Sequence, residues 1–213
     1  TIQIIVTPLS GGLIGSDQFI CAGAQASPFT SNAPASGGSG TYAYQWQRKE
    51  QGQTAFTDIP GAVGTTLIPP VLQTTASYRR KVTDMNIVGY SNEVSVTISP
   101  VPNAPLASDT TYCQSANLTV LVSTRVSVSS GHTLRWYATG AGGTPDPYSP
   151  IFSAALVGVS DYYVSQVNTT TGCESPRRKV SLTTRALPNA PIVPADQYYC
   201  VGQVNPSALT ATK

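Results

Sequence analysis

The chain has 213 residues, of which 10% are charged, and a formal net charge of +2, which is room for about two domains of common size. Twelve Lys and Arg against ten Asp and Glu supply no basic stripe of the kind that tracks a phosphate backbone, and no apolar run approaches the length of a membrane span. Neither nucleic-acid binding nor membrane insertion by this segment is expected.

The 18 Gly and 17 Pro punctuate short β-branched and aromatic runs, the pattern of many short strands joined by turns. In chain order, Ile2–Thr7 reads as the last strand of a preceding unit, residues 1–9. Strands are then expected over Gln18–Cys21, Tyr42–Arg48, Thr66–Ile68, Ser77–Thr83 and Glu93–Ile98, separated by Gly37-Gly38-Ser39-Gly40, Pro60-Gly61 and Pro69-Pro70. Alternation along Tyr78, Arg80 and Val82 puts an arginine between two core candidates. A buried unpaired charge is costly, so Arg80 is expected at the rim or paired with Asp58 or Asp84.

The segment Pro102-Asn103-Ala104-Pro105 leads to Cys113, recurs as Pro188-Asn189-Ala190-Pro191 before Cys200, and has a degraded copy, Pro8-Leu9-Ser10-Gly11-Gly12, before Cys21. These cysteines lie 92 and 87 residues apart. Trp46 and Trp136 follow the first two at similar distances, Tyr78 aligns with Tyr163, and Val94–Ile98 aligns with Val180–Thr183. The expected organisation is one repeat over 10–101, a second over 102–187, and the start of a third over 188–213.

Turn chemistry at short intervals with no helical stretch between strands points to all-β antiparallel sandwiches rather than a parallel sheet with crossovers. Trp46, Trp136, Tyr78 and Tyr163 are the expected core plugs, each Trp removing on the order of 200 Å² from water. A sugar-stacking role for the two tryptophans is the alternative.

Cys113 and Cys173 stand at the start and near the end of one repeat, Cys173 in the turn Thr171-Gly172-Cys173-Glu174. They are predicted to form a disulfide closing a loop of about 60 residues, contributing on the order of 4 kcal/mol. Tyr90 stands where a partner for Cys21 would fall, leaving Cys21 without one in its own repeat, and Cys200 lacks one because its repeat is expected to be truncated. A four-cysteine metal site is disfavoured, since there is no C-x-x-C pair and His132 is the only histidine. That histidine, in Ser130-Gly131-His132-Thr133, reads as a turn residue rather than a catalytic base.

The glycine run at 37–40 lacks the lysine and helix of a phosphate loop, and the scattered acids form no glycosidase pair. No catalytic residue, cofactor or metal is therefore expected; the loop aspartates leave interdomain calcium as an alternative. The runs Arg79-Arg80-Lys81 and Arg177-Arg178-Lys179 are either solvated strand faces or a patch for acidic polysaccharide. Low lysine content and the cysteines favour an oxidising, exported setting.

The strings Tyr42-Ala43-Tyr44-Gln45-Trp46-Gln47, Phe56-Thr57-Asp58-Ile59-Pro60-Gly61-Ala62, Tyr78-Arg79-Arg80-Lys81-Val82 and Ser91-Asn92-Glu93-Val94 resemble the immunoglobulin-like repeats of very large Bacteroidota cell-surface adhesins. Trp136-Tyr137, Tyr162-Tyr163-Val164-Ser165-Gln166 and Gly172-Cys173-Glu174-Ser175 are similar to a second repeat type of the same proteins, which are cargo of type IX secretion and include the mobile, SprB-like adhesin of gliding bacteria. The resemblance implies tandem immunoglobulin-like sandwiches arranged end to end, at the extracellular cell surface. It implies a non-catalytic stalk whose partners are neighbouring repeats of the same chain, neighbouring chains of a filament, or a surface polysaccharide. It also marks Thr110, in Asp109-Thr110-Thr111, as a candidate O-glycosylation site. The spacing Cys113–Trp136–Cys173 departs from that of antibody domains. The competing expectation is a polysaccharide-binding or accessory module of a secreted enzyme, with Tyr42, Tyr44, Tyr90, Tyr148 and Tyr162 as candidate contacts.

Overall fold

The computed structural model describes residues 7–192. Residues 1–6 of the expected leading strand, and the third repeat from 193 on with Cys200, lie outside the described residues. The described chain is almost entirely β, with one 3₁₀ turn at Val122–Arg125, and forms immunoglobulin-like antiparallel sandwiches in tandem along the sequence. Its described residues divide into two compact units, one of residues 7–104 with 129–133 and 165–176, the other of 105–128, 134–164 and 177–192.

In the first unit the strands are β1 (Leu13–Ile14), β2 (Gln18–Cys21), β3 (Ser31–Ala33), β4 (Ala43–Glu50), β5 (Thr57–Asp58), β6 (Ala76–Asp84), β7 (Ile87–Tyr90) and β8 (Val94–Ser99). The main sheet runs β2-β8-β6-β4-β5, with β7 folded back on β6, and β1 pairs with β3. All its contacts are antiparallel except the edge strand β2, which runs parallel to β8. Along β6 every second residue, from Ala76 through Tyr78, Arg80 and Val82 to Asp84, is buried, the period of a strand with one face in the core.

Trp46 and Tyr78 lie in that core with Ile14, Phe29, Leu72, Val94 and Val96. Phe29 packs on both aromatic anchors, 6.2 Å from Trp46 and 5.3 Å from Tyr78 between ring centroids. The strand expected over Thr66–Ile68 is reduced to one bridge, Leu67 to Phe29. Pro69 and Pro70 follow at once and cannot donate to a ladder.

Arg80 overturns the rim expectation. It is fully buried, and its guanidinium donates to the carbonyls of Thr65 (3.0 Å) and Gly11 (2.9 Å) and to Ser31 Oγ (3.2 Å). The Tyr44 ring lies 4.7 Å away as a cation–π partner. Neither aspartate pairs with it: Asp58 accepts from Gln47 Nε2 at 2.7 Å, and Asp84 accepts from Ser39 and Gly40. Loop carbonyls converging across the core solvate the charge instead. Gly11 fits there because a Cβ would fall 2.2 Å from the Ser91 nitrogen.

The remaining strands are β9 (Leu106–Ala107), β10 (Thr110–Cys113), β11 (Thr119–Leu121), β12 (Val126–Ser127), β13 (His132–Tyr137), β14 (Ile151–Ser153), β15 (Gly158–Asn168) and β16 (Arg178–Arg185), all in the second unit except the first two residues of β13 and the last four of β15. One sheet is ordered β10-β16-β15-β13, and the pairs β11–β14 and β12–β9 face it. The core gathers Val122, Trp136, Phe152, Ala154, Val164, Val180 and Leu182, with Tyr162 packed against it.

Tyr163, expected as a core plug, is only half-buried and lies on the opposite face of β15, against Gly140. The register explains the slip. Tyr162 pairs with Val180 on β16 as Tyr78 pairs with Val94 on β8, so Tyr162 is the true counterpart of Tyr78. A one-residue error in a strand exchanges its faces.

Candidate functional site

The chemistry that stands out is sulfur at the ends of two edge strands. In each unit a short strand adds parallel to the final strand, β2 on β8 and β10 on β16, and ends in a cysteine, Cys21 opposite Ser99 and Cys113 opposite Arg185. An aspartate fixes each strand's entry. Asp17 Oδ1 accepts from the Ser95 N–H at 2.8 Å, and Asp109 Oδ1 accepts from the Ser181 N–H, also at 2.8 Å. The residue after each cysteine closes the exit, Ala22 N–H donating to Ser99 O and Gln114 N–H to Arg185 O.

The two cysteines nevertheless differ in state. Cys21 is bonded to Cys173 with the Cα atoms 5.6 Å apart, whereas Cys113 is an exposed free thiol. The expected Cys113–Cys173 bridge is therefore replaced by one joining a first-repeat strand to a second-repeat turn. The reason is the placement of residues 165–176, which fold with the first unit and bring Cys173 Sγ within 4.0 Å of Ser99 O, beside Cys21.

The turn that presents Cys173 is built locally. Asn168 Oδ1 accepts from the backbone N–H groups of Thr170 and Thr171, both at 2.9 Å, an Asx turn. The Gly172 N–H donates to Asn168 O, and Gly172 takes φ +73°, a conformation that suits glycine. Val167 and Glu174 bridge beneath it, leaving Cys173 1% exposed. Asn168-Thr169-Thr170, a glycan sequon by sequence, is this turn.

The missed signal was in the sequence. Asp17-Gln18-Phe19-Ile20-Cys21, Asp109-Thr110-Thr111-Tyr112-Cys113 and Asp196-Gln197-Tyr198-Tyr199-Cys200 share one Asp-x-x-x-Cys spacing. Thr110, the candidate glycosylation residue, is half-buried in β10 opposite Leu182. Its neighbour Asp109 is committed to the Ser181 N–H.

The candidate tyrosines serve different places. Tyr42 donates to Gly37 O at 2.8 Å, Tyr44 covers Arg80, and Tyr90 stacks on Arg79 at 4.0 Å. Arg79 also stacks on Phe56 at 4.2 Å and donates from Nε to Gln47 at 2.8 Å.

In the second unit an open groove of about 700 Å³ is lined by Trp136, Tyr137, Pro145, Pro147, Asp161 and Tyr162 among others. Tyr148, the neighbour of Pro147, is 79% exposed. Arg177 lies 3.3 Å over the Tyr137 ring and pins the adjoining loop through Thr139 O and Gly142 O, at 2.8 and 2.7 Å. The groove's acid, Asp161, is held below the usual carboxylate range by hydrogen bonds from Lys179 and Ser181. His132 contacts Ser130 O at 2.8 Å through Nδ1. Among the described residues no group of three His, Cys, Asp or Glu side chains converges on a metal-sized site.

Two family models match successive parts of the chain. Residues 102–185 match the family model for an Ig-like domain, CHU_C associated. Residues 10–100 match that of a domain of unknown function, DUF8696. No curated protein matches the chain. Similar solved structures include Sidekick-1 immunoglobulin domains 1-4, at 18% identity over 90% of this chain and 52% of that one, TM-score 0.33. They also include the Ig1-2 module of the Drosophila receptor protein tyrosine phosphatase DLAR, at 12% identity over 84% of this chain and 100% of that one, TM-score 0.29. The insect immune protein hemolin is similar at 11% identity over 84% of this chain and 47% of that one, TM-score 0.37. The chain spans about half the length of the Sidekick-1 and hemolin structures.

Proposed function

We propose that this chain is a non-catalytic spacer within a large extracellular adhesin or surface filament of a Bacteroidota cell, exported by type IX secretion and holding a distal binding region away from the surface in adhesion or gliding. The observation that carries the reading is the Cys21–Cys173 bond, which ties successive repeats covalently, together with the Ig-like match of the second repeat. A spacer under load gains from such a staple because tension then runs through sulfur rather than through sheet hydrogen bonds alone, each worth only about 0.5–1.5 kcal/mol net.

The deciding experiment deletes this segment from its parent and then restores length with an unrelated rigid sandwich pair. Adhesion falls on deletion and returns with the substitute. Failure of the substitute to restore adhesion would overturn the reading.

The aromatic groove of the second unit favours one other reading, a polysaccharide-binding module. Glycan-array binding that disappears in both Tyr148→Ala and Tyr162→Ala would establish it, since stacking on sugar rings is what such tyrosines offer.

A further inference from the structure

We propose that the outward face of the first unit's main sheet binds an acidic polysaccharide, with Arg79 as the residue that takes its carboxylates. The inference stands apart from the spacer reading and from the groove of the second unit.

Strand alternation divides the run Arg79-Arg80-Lys81. Arg80 points into the core and is fully buried, whereas Arg79 and Lys81 are half-buried on the opposite face of β6. Pairing brings other side chains to that face. Gln47 on β4 opposes Arg79, and Tyr90 on β7 opposes Lys81.

The Arg79 guanidinium is held in a fixed plane. It lies between the rings of Phe56 and Tyr90, 4.2 and 4.0 Å from their centroids, and its Nε donates to Gln47 Oε1 at 2.8 Å. Gln47 is turned the right way by Asp58, whose Oδ1 accepts from Gln47 Nε2 at 2.7 Å. Among the described residues the two Nη groups of Arg79 have no hydrogen-bond acceptor and no carboxylate within ion-pair distance. The rings and the glutamine thus orient the fork while leaving its outer edge open. Such an edge takes both oxygens of one carboxylate with little reorganisation.

The charges on the face select the occupant. Lys49 Nζ lies 4.5 Å from the Phe56 centroid and 3.6 Å from the Glu93 carboxylate, so it is already paired. Lys81, about 7 Å along the strand from Arg79, has no acidic partner among the described residues. Two uncompensated cations in line suit a polymer with one negative charge per sugar, a uronate chain, better than a densely sulfated one. Tyr90, 45% exposed, and Val88, 44% exposed and paired with Thr83 on the same face, offer apolar surface to the sugar rings.

The test is affinity electrophoresis of the 213-residue chain in gels containing polygalacturonate, dextran sulfate or neutral dextran. Polygalacturonate should retard the protein and neutral dextran should not, and added salt should weaken the retardation by screening. Arg79→Lys keeps the charge and loses the fork, and should lower the apparent affinity about tenfold. Tyr90→Ala changes no charge and should also lower it, because the guanidinium loses one of the rings that orient it. Arg178→Ala, which removes an exposed cation from the second unit, and Tyr148→Ala beside the groove should leave it unchanged.

Absence of retardation by polygalacturonate would overturn the proposal. So would equal retardation of the wild type and Arg79→Lys, or an equal loss in Arg178→Ala, either of which reduces the contact to net charge. Stronger retardation by dextran sulfate than by polygalacturonate would overturn the choice of carboxylate. A negative result in the segment-replacement experiment leaves these gels unchanged, so the two readings fail separately.

Discussion

Arg80 Nη2 donates to the carbonyl of Gly11, 69 residues earlier, at 2.9 Å inside the core of the first unit. The same guanidinium reaches Thr65 and Ser31, so one side chain satisfies acceptors from two loops and from strand β3. Burial lowers its pKa and the Tyr44 ring opposes that shift. Arg80→Ala leaves a cavity and orphaned acceptors and is expected to cost about 3–5 kcal/mol in denaturant unfolding. Arg80→Lys does not restore wild-type stability, because an ammonium lacks the planar fork that reaches separate carbonyls. Wild-type stability in both variants would refute this account.

Asp84 sets an acid limit on the first unit. Hydrogen bonds from Ser39 Oγ, at 2.6 Å, and from the Ser39 and Gly40 N–H groups hold its carboxyl below the usual range, while burial works against them. A depressed folded-state pKa contributes stability that is complete above the unfolded value, about 3.9, and is lost as pH falls through the folded value. Melting temperature measured from neutral pH down through about pH 3 should drop on the acid side. Asp84→Asn should flatten that limb while lowering stability at neutral pH.

Reduction should reach further than a sixty-residue loop would. The Cys21–Cys173 bond spans 152 positions, and constraining so long a loop in the unfolded chain contributes on the order of 5 kcal/mol. Cys21→Ser should therefore lower thermal stability in the absence of reductant and abolish its sensitivity to reductant, while Cys113→Ser leaves both unchanged. Pulled by its ends, the oxidised chain should hide this loop, and reduction should release roughly 50 nm of extra contour.

Phe29 should behave as a core residue although it sits in a polar stretch, Ser27-Pro28-Phe29-Thr30. It is fully buried between Trp46 and Tyr78. Phe29→Ala is expected to cost about 3–5 kcal/mol and to shift the Trp46 fluorescence, whereas Phe19→Ala, at a site 77% exposed, should change neither appreciably.

Strand and turn patterning alone was enough for the class of the fold and for aligning equivalent strands. Short alternating runs between glycine and proline turns can bury their apolar faces only as packed β-sheets, and recurrence of Val94-Ser95-Val96 as Val180-Ser181-Leu182 marks equivalent final strands. Strand β2 was legible to the residue, while β1 and β3 were not, because strands of two and three residues carry too little periodicity to stand out, and β7, Ile87–Tyr90, is interrupted by Gly89. Tyr162 against Tyr163 was undecidable from two adjacent tyrosines, since either phase presents one aromatic ring to the core.

The placement of the buried charge and of the sulfur became visible only in three dimensions. Arg80 is buried because loop carbonyls distant in sequence surround it, and Cys173 meets Cys21 because its turn folds with the first unit. Both outcomes depend on distance in space between residues far apart in the chain, a quantity that local spacing does not encode.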